Sequence, residues 1–503
     1  MKRVQQTAWL AAILVMLIGF SAVAADYSHP KIKPNLSAVL NSQNSAEDFV
    51  RVYIKLNDRL SLSDLNSMHG YMPRKERQKA VVNTLRSHAY ATQGAVLSHL
   101  ENAALSKTGV RNIRNIWAIN VIAFEAQPQV IMDMAIGYNE IEAIFYDPII
   151  TDEEAQDDEG ISAFNLKHGI TTPPMMAPQV GLTLINAPLV WAEGDSGAGV
   201  LVANVDSGTD WTHPDLVNNI WNNLGEDADG DGRTIELVNG NWVYDPGDAN
   251  GIDDDGNGYV DDYIGYDFGS NDNDPQDSGS HGTSTAGQIC GDGTNGTQTG
   301  VAPRAKVMVL RIAGGGQSDW WAAYQYAFTN GVDVTTSSYS LKWASSPDYA
   351  GFRNMTDMEL AAGVIHTNST GNQGSQAQVG CNEPYPVPYN ISTPGNSPGP
   401  WQHPDQGNLI GAISSVIGCG NVVATTDVIS SGSGLGPAAW ENIQDRCPTY
   451  PNVNPPSYMD YPYNLAGAVE PDSIGLLKPD LSAPGSSTTS TVPGGGYSGF
   501  GGT

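Results

Sequence analysis

Four short runs rich in Val and Ala, each entering a turn built from Gly, Ser or Asn, constrain this chain more than any other feature. They are "GVLVANVDSG" (199–208), "AKVMVLRI" (305–312), "GVDVTTSSYS" (331–340) and "GVIHTNSTGN" (363–372), with helical runs at 320–329 and 351–362 between them. Continuous apolar strands alternating with helices require a parallel sheet covered on both faces. The expected fold class is therefore α/β with a doubly wound, mostly parallel sheet. In such sheets the working residues collect at the carboxyl ends of the strands.

Residues 47–150 carry a different pattern. "FVRVYIKL" (49–56) alternates as a strand, and 74–104 places Val81, Val82, Leu85, Ala89, Val96, Leu97, Leu100 and Ala104 at helical spacing. Residues 113–126 read as one or two strands, 128–138 as a helix and 141–147 as a last strand. The order β-α-β-β-α-β predicts a small α+β, ferredoxin-like unit. Ahead of it, residues 1–25 join Lys2 and Arg3 to an apolar run of 13 residues, 8–20, and to the small residues Ala22 and Ala24. A spanning helix needs about 20 apolar residues, so this segment reads as a secretory signal peptide. The mature protein is expected to be secreted, with no membrane attachment once that segment is removed.

Charge divides the chain. Residues 1–150 hold 15 Lys+Arg against 12 Asp+Glu, and residues 151–503 hold 9 against 42, giving +3 and −33. The second part repels nucleic acid and anionic membranes, which excludes both as expected partners. A linker over 151–178 begins "TDEEAQDDEG" and has no apolar periodicity, so it is expected to be exposed and cleavable. Cys290, Cys381, Cys419 and Cys447 lack the C-x-x-C spacing of a zinc site. In an exported chain they read as one or two structural disulfides, in any of three pairings.

The chemistry starts at Asp206, which ends a buried strand, where a carboxylate is costly unless something uses it. His281 opens "HGTSTAGQICG", a helix whose Gly282, Ala286 and Gly287 allow close packing. An Asp that orients an imidazole and an imidazole that serves as general base are two thirds of a nucleophilic triad. Asn372, in the turn after the fourth strand, offers a side-chain amide to the negative charge that develops on an attacked carbonyl.

"VANVDSGTDWTHPDL" around Asp206, "HGTSTAG" at His281, "STGNQG" around Asn372 and "LKPDLSAPG" (477–485) occur in one order. Together they resemble the signature segments of the subtilisin-like serine protease family over about 179–503. The resemblance implies that Asp206 and His281 are triad members and that Asn372 is the oxyanion donor. It also implies that Ser338, Tyr339 and Ser340 line the substrate-binding strand. Ser340 stands where relatives often carry Gly, which adds bulk to a pocket wall, and Ser284 replaces the second His of H-G-T-H. In the family the nucleophile belongs to Gly-Thr-Ser-Met-Ala. The chain closes on "YSGFGGT", so Thr503 matches the residue before that Ser, and the domain is expected to be incomplete at its C-terminus. Ser498, five residues earlier, lies in the approach strand. By the same resemblance, residues 47–150 are an inhibitory propeptide that assists folding, bound intramolecularly to its own acidic protease unit. Protein or peptide substrates and a monomeric state are expected.

Between Asp206 and His281 lies an insert, 226–277, with 16 Asp+Glu against one base, Arg233. Asp253, Asp255, Asn257, Tyr259 and Asp261 alternate as in an EF-hand-type loop, with Gly258 at the sharp turn and the Tyr259 carbonyl as a ligand. The twelfth-position Glu is absent and Asp262 is its nearest replacement. Asp227, Asp229 and Asp231 form a shorter version. Oxygen-only ligands select calcium over zinc. The expected protein is a secreted, calcium-stabilised serine endopeptidase precursor. The alternative is a non-catalytic, pseudoprotease-like peptide-binding protein. A calcium-stabilised structural protein would leave Asp206, His281 and Asn372 without a common purpose.

Overall fold

A computed structural model describes residues 26–42, 48–155, 178–376, 378–379, 386–387, 389–401, 413–440 and 476–503. The expected signal peptide, most of the linker, Cys381 and Cys447 lie outside the described residues.

The N-terminal unit contains α1 (Pro34–Ser42), β1 (Val50–Leu56), α2 (Leu62–His69), α3 (Arg74–Leu105), β2 (Val110–Ile116), β3 (Val121–Ala126), α4 (Pro128–Gly137) and β4 (Ile141–Tyr146). Its antiparallel sheet has the order β2-β3-β1-β4, the ferredoxin-like arrangement. The segment 113–126 resolves into two strands because Trp117–Ile119 form a 3-10 turn and Asn120 takes a left-handed conformation, φ 53°. Asn tolerates that region better than branched residues do. Strand β1 is buried on both faces. Val50, Val52 and Ile54 join Val96, Leu100, Ile131 and Met134 in the unit's own core, while Tyr53 points into the second unit.

The linker is not simply exposed. Asp152–Ala155 form a one-turn helix, α5, and Ala155 is buried. Its apolar methyl and backbone find a place on the second unit, which the acidic composition concealed.

The second unit begins with α6 (Val180–Leu184) and α7 (Ala187–Ala192). Its sheet strands are β5 (Leu201–Asp206), β8 (Gly265–Asp267), β9 (Lys306–Arg311), β10 (Val334–Ser337), β11 (Ile365–Ser369), β14 (Val416–Val423), β15 (Val428–Ile429) and β16 (Leu481–Ser486). The order is β15-β14-β11-β10-β5-β9-β8, with β16 also on β14, and every pairing is parallel except β14 with β15. Three separate pairs complete the strands: β6 (Ile235–Val238) with β7 (Asn241–Tyr244), β12 (Gln378–Val379) with β13 (Pro386–Val387), and β17 (Thr488–Val492) with β18 (Gly496–Phe500).

Residue parity separates the two faces of the sheet. Ala203, Val205, Met308 and Leu310 pack with α9 (Gln317–Thr329) and α10 (Tyr349–Ala362), whereas Val307 packs with Ala286 and Cys290 of α8 (His281–Cys290). Helices on both faces make the sheet doubly wound. Cys290 and Cys419 are free thiols, so neither forms an expected disulfide.

The two units share a core in which Tyr53, Leu65, Val81 and Leu85 meet Trp320, Trp321, Phe328 and Phe352. Around it, cations of the first unit meet acids of the second. Arg51 reaches Asp319 at 2.7 Å, Arg114 binds the same carboxylate, Lys75 reaches Asp333 at 3.0 Å beside Arg74, and Lys55 reaches Asp348 at 2.5 Å. Asp348 also accepts from Tyr53 Oη at 2.8 Å and caps α10 through the Gly351 N–H at 3.0 Å. Lys55 is only 6% exposed. Asp348→Ala should therefore cost about 3–5 kcal/mol, because it strands a buried ammonium. Lys55→Met should cost less, since Tyr53 and Gly351 still serve the carboxylate. Urea midpoints at constant m-value give the order; a reversed order would remove Asp348 from the centre of this contact.

Candidate active site

The carboxyl ends of β5, β10 and β11 converge. Asp206, the last residue of β5, is fully buried, and His281 at the start of α8 is 2% exposed. His281 Nδ1 donates to Asp206 Oδ1 at 2.6 Å. The Ser207 N–H donates to the same oxygen at 2.7 Å; Thr285 Oγ1, whose single proton is shared with the Gly282 carbonyl at 3.0 Å, lies 3.3 Å from Asp206 Oδ2. A buried carboxylate with two short donors is held in one orientation. The imidazole is wedged edge-on between the rings of Tyr339 and Phe500, both 5.6 Å away between centroids.

Two glycines make this approach possible. A Cβ on Gly282 would lie 1.9 Å from the Gly208 carbonyl oxygen and 3.0 Å from Asp206 Oδ1. A Cβ on Gly287 would lie 2.1 Å from Thr491 Oγ1. Only a side chain of one hydrogen lets α8 pack against both the Asp206 turn and β17.

The sequence reading missed Asp277. Its carboxylate accepts from Ser207 Oγ at 3.0 Å, the Gly279 N–H at 2.8 Å, the Thr283 N–H at 2.9 Å and Thr283 Oγ1 at 2.7 Å. It thus ties the turn after Asp206 to the first turn of α8, where a negative charge also suits the helix dipole. Burial holds its carboxyl above the ordinary range. The local sequence "PQDSGSHG" contains the Asp, but nothing in it marks an acid four residues before His281 as a clamp.

Asn372 stands in the turn after β11. Its Oδ1 accepts from the Thr503 N–H at 3.1 Å and from Thr503 Oγ1 at 3.3 Å. Its buried Nδ2 has no hydrogen-bond partner among the described residues. The carboxamide is therefore fixed by its oxygen while its donor end stays available. Beside Thr503 opens a cavity of about 250 Å3 lined in part by Thr285, Ser338, Phe500 and Gly502.

Ser338, Tyr339 and Ser340 continue β10 along the same cleft. The chain after β4 occupies it: the Ser340 N–H donates to the Ala155 carbonyl at 2.9 Å, Tyr339 Oη to Asp152 Oδ1 at 3.0 Å, and Lys342 Nζ to the Ala155 carbonyl at 3.3 Å. Ser498 lies within β18, paired with Ser490.

In the insert, two loops fold alike. Asp227 accepts from the N–H groups of Asp231 and Gly232 at 3.1 and 2.8 Å, and Asp253 from those of Asn257 and Gly258 at 3.0 and 2.8 Å. In each loop the first carboxylate takes the N–H groups four and five residues on. Carboxylate oxygens of Asp227, Asp229 and Asp231 lie within 4.8 Å of one another, as do those of Asp253, Asp255 and Glu226. Glu226 and Asp248 were not read from the sequence. Glu226 accepts the Asp255 and Asp261 N–H groups at 3.1 and 3.2 Å; Asp248 accepts those of Ala228 and Asp229 at 2.9 and 3.3 Å. Asp261 turns its carboxylate to the Gly251 N–H instead, and the Tyr259 ring packs on Tyr266 and Phe268.

Asp248 Oδ2 and Asp262 Oδ1 are buried without hydrogen-bond partners among the described residues. Burial pushes the Asp262 carboxyl up to about 7 and raises those of Glu226 and Asp248. Crowded oxygen-only ligands, backed by the buried Glu226, Asp248 and Asp262 and by carboxylate oxygens without partners among the described residues, fit a hard divalent cation.

Residues 197–503 match the family model described as the subtilase family. The chain is 28% identical over 217 residues to the major intracellular serine protease of Bacillus subtilis (strain 168), covering 42% of this chain and 54% of that protein. It is 26% identical over 428 residues to bacillopeptidase F of the same strain, covering 84% of this chain and 24% of that protein. It is 27% identical over 213 residues to subtilisin E, covering 42% of this chain and 43% of that protein. The matched regions thus span about half of these relatives or less. The match across the whole sheet that carries Asp206, His281 and Asn372 settles the family: this chain belongs to the subtilases.

Proposed function

We propose that this protein is a secreted, calcium-stabilised serine endopeptidase made as a zymogen. Asp206 and His281 serve as orienter and general base, and Asn372 as oxyanion donor. The nucleophile is a serine that follows Thr503 in the longer protein. One observation carries the reading: Asn372 accepts from the Thr503 N–H and Oγ1 through Oδ1, while its buried N–H2 group has no partner among the described residues and stays available as a donor.

The mechanism follows from those atoms. Asp206 fixes the His281 tautomer with the proton on Nδ1, leaving the Nε2 lone pair to take the serine proton as Oγ attacks the substrate carbonyl. The imidazolium formed is stabilised by the Asp206 carboxylate and then gives its proton to the leaving amine. Negative charge on the former carbonyl oxygen is met by Asn372 Nδ2. A peptide substrate would pair with the strand through Ser338 and Ser340. The bond from the Ser340 N–H to Ala155 supports a propeptide over 47–150 whose following linker lies in the cleft as a substrate would. The minor extracellular protease Vpr of Bacillus subtilis (strain 168), 27% identical over 226 residues, is extracellular by name and supports an exported peptidase, whereas the major intracellular serine protease is intracellular by name, so export rests here on residues 1–25.

Calcium would be held by Asp227, Asp229, Asp231 and Asp248 in one loop. In the other, Asp253, Asp255, Asn257 and Glu226 would hold it, with Asp262 behind them. Bound there, the ion supplies charge that offsets the acidic crowding. If it binds the folded loops alone, a concentration 100 times Kd adds about 2.7 kcal/mol. Asp253→Ala with Asp255→Ala should shrink the rise in Tm between chelator and calcium. An unchanged rise would make the loop a solvated acidic surface.

In the full-length protein, His281→Ala should lower kcat by about 10^6-fold. Asn372→Ala should lower kcat by about 10^2–10^3-fold with little change in KM, because the amide bonds the oxyanion more strongly than the ground-state carbonyl. Steady-state kinetics on a peptide substrate give both numbers. A raised KM with intact kcat in Asn372→Ala would make Asn372 a substrate-binding residue, and peptide hydrolysis surviving His281→Ala would overturn the triad.

A further inference from the structure

The second unit holds another buried carboxylate–imidazole pair, remote in sequence from Asp206 and His281. Glu359 on α10 and His366 and Asn368 on β11 are at most 2% exposed. His366 Nδ1 lies 2.8 Å from Glu359 Oε2, and His366 Nε2 lies 3.1 Å from Asn368 Oδ1. Asn368 Nδ2 donates to the Ser369 carbonyl at 3.1 Å and points at the Tyr339 carbonyl, 3.5 Å away.

The direction of each bond is forced. Two carbonyls can only accept, so the Asn368 N–H2 group faces them and its Oδ1 faces the imidazole. An amide oxygen also only accepts, so His366 Nε2 carries a proton. At Nδ1 a lone pair opposite a carboxylate would repel it, so a second proton lies between Nδ1 and Glu359 Oε2. Among the described residues Ser415 Oγ is the one other donor to that oxygen, at 3.4 Å, and Glu359 Oε1 has no partner. From α9 the pair is faced by Tyr324, ring to ring at 4.8 Å; burial raises the pKa of that hydroxyl. No Lys or Arg forms an ion pair with Glu359 among the described residues.

We propose that Glu359, His366 and Asn368 form a positioning chain that carries one proton more than a neutral imidazole beside a carboxylate, and that it fixes the carbonyls of Tyr339 and Ser369. Those carbonyls belong to the two segments that lead to Ser340 and Asn372. The chain therefore sets the spacing between the substrate-pairing strand and the oxyanion turn, a role that rests on the protease reading above.

Nuclear magnetic resonance of the 15N-histidine-labelled full-length protein tests the proton count without any activity. The His366 signals are assigned by their loss in His366→Gln. A protonated Nε2 is expected both in the native chain and in Glu359→Gln, whose amide donates to a neutral Nδ1 and so replaces the extra proton. A bare Nε2 with a protonated Nδ1 in the native chain would overturn the proposal.

Hydrogen exchange tests the positioning. Asn368→Leu should speed exchange over 338–341 and 370–373 by about tenfold, the scale of one lost hydrogen bond. Exchange in β1–β4 should stay unchanged, and Glu359→Gln should behave as the native chain. Unchanged exchange over both segments in Asn368→Leu would overturn it, as would faster exchange in Glu359→Gln. If Asn368→Leu fails to fold, the native and Glu359→Gln spectra still decide. A full-length protein without peptidase activity would sink the protease reading while leaving both of these measurements decisive.

Discussion

Helix α9 is the element on which both units depend. Every residue from Gln317 to Phe328 is buried, and a helix buried all round needs cover on both sides. The sheet supplies one side and the N-terminal unit the other. Its adjacent tryptophans divide the work. Trp321 meets the Tyr53 ring at 5.0 Å, and Trp320 meets Tyr339 of the cleft wall at 6.0 Å. Burying two indoles provides a large apolar stabilisation with few rotatable bonds. The wall of the cleft is thus built on the same helix that the N-terminal unit covers.

Electrostatics adds direction to this contact. Asp319 closes the first turn of α9 by accepting from the Gly316 N–H at 2.6 Å, while Arg51 and Arg114 approach from the other unit. Asp348 does the same for α10 with Lys55. Each acid serves a helix N-terminus and a partner cation together, so the charge contrast read from composition is concentrated at helix ends. An exposed pair would contribute little. A pair excluded from water, with its remaining lone pairs satisfied, fixes register.

The legible parts of the sequence were those whose signal is local. Asp206, His281 and Asn372 each sit beside a turn or helix start that their own neighbours specify, and the four strands could be placed from apolar runs alone. Glu226, Asp248 and Asp277 could not. Each acts on residues separated from it in sequence, and in a chain with 54 acidic residues no single Asp stands out. Asp261 fitted the loop pattern by spacing, yet its left-handed backbone, φ 54°, turns its carboxylate toward Gly251. Ala155 was hidden in an acidic stretch because a docking backbone leaves no mark on composition. Cys290, buried in α8 against Leu216 and Val307, and Cys419 are free thiols, so among the described residues no bridge forms: spacing in sequence does not by itself bring two sulfurs together.

The two carboxylate–imidazole pairs illustrate how surroundings set chemistry. Asp206 receives the Ser207 N–H at 2.7 Å besides His281, a donor that stays in place whatever the ring does. Among the described residues Glu359 has the 3.4 Å Ser415 contact besides His366. Under the readings proposed above, the first setting suits a ring that cycles a proton and the second one that holds it. One member of each pair, Asp206 on β5 and His366 on β11, lies in the same sheet, where β10 separates the two strands, and the cleft wall that continues β10 lies between them.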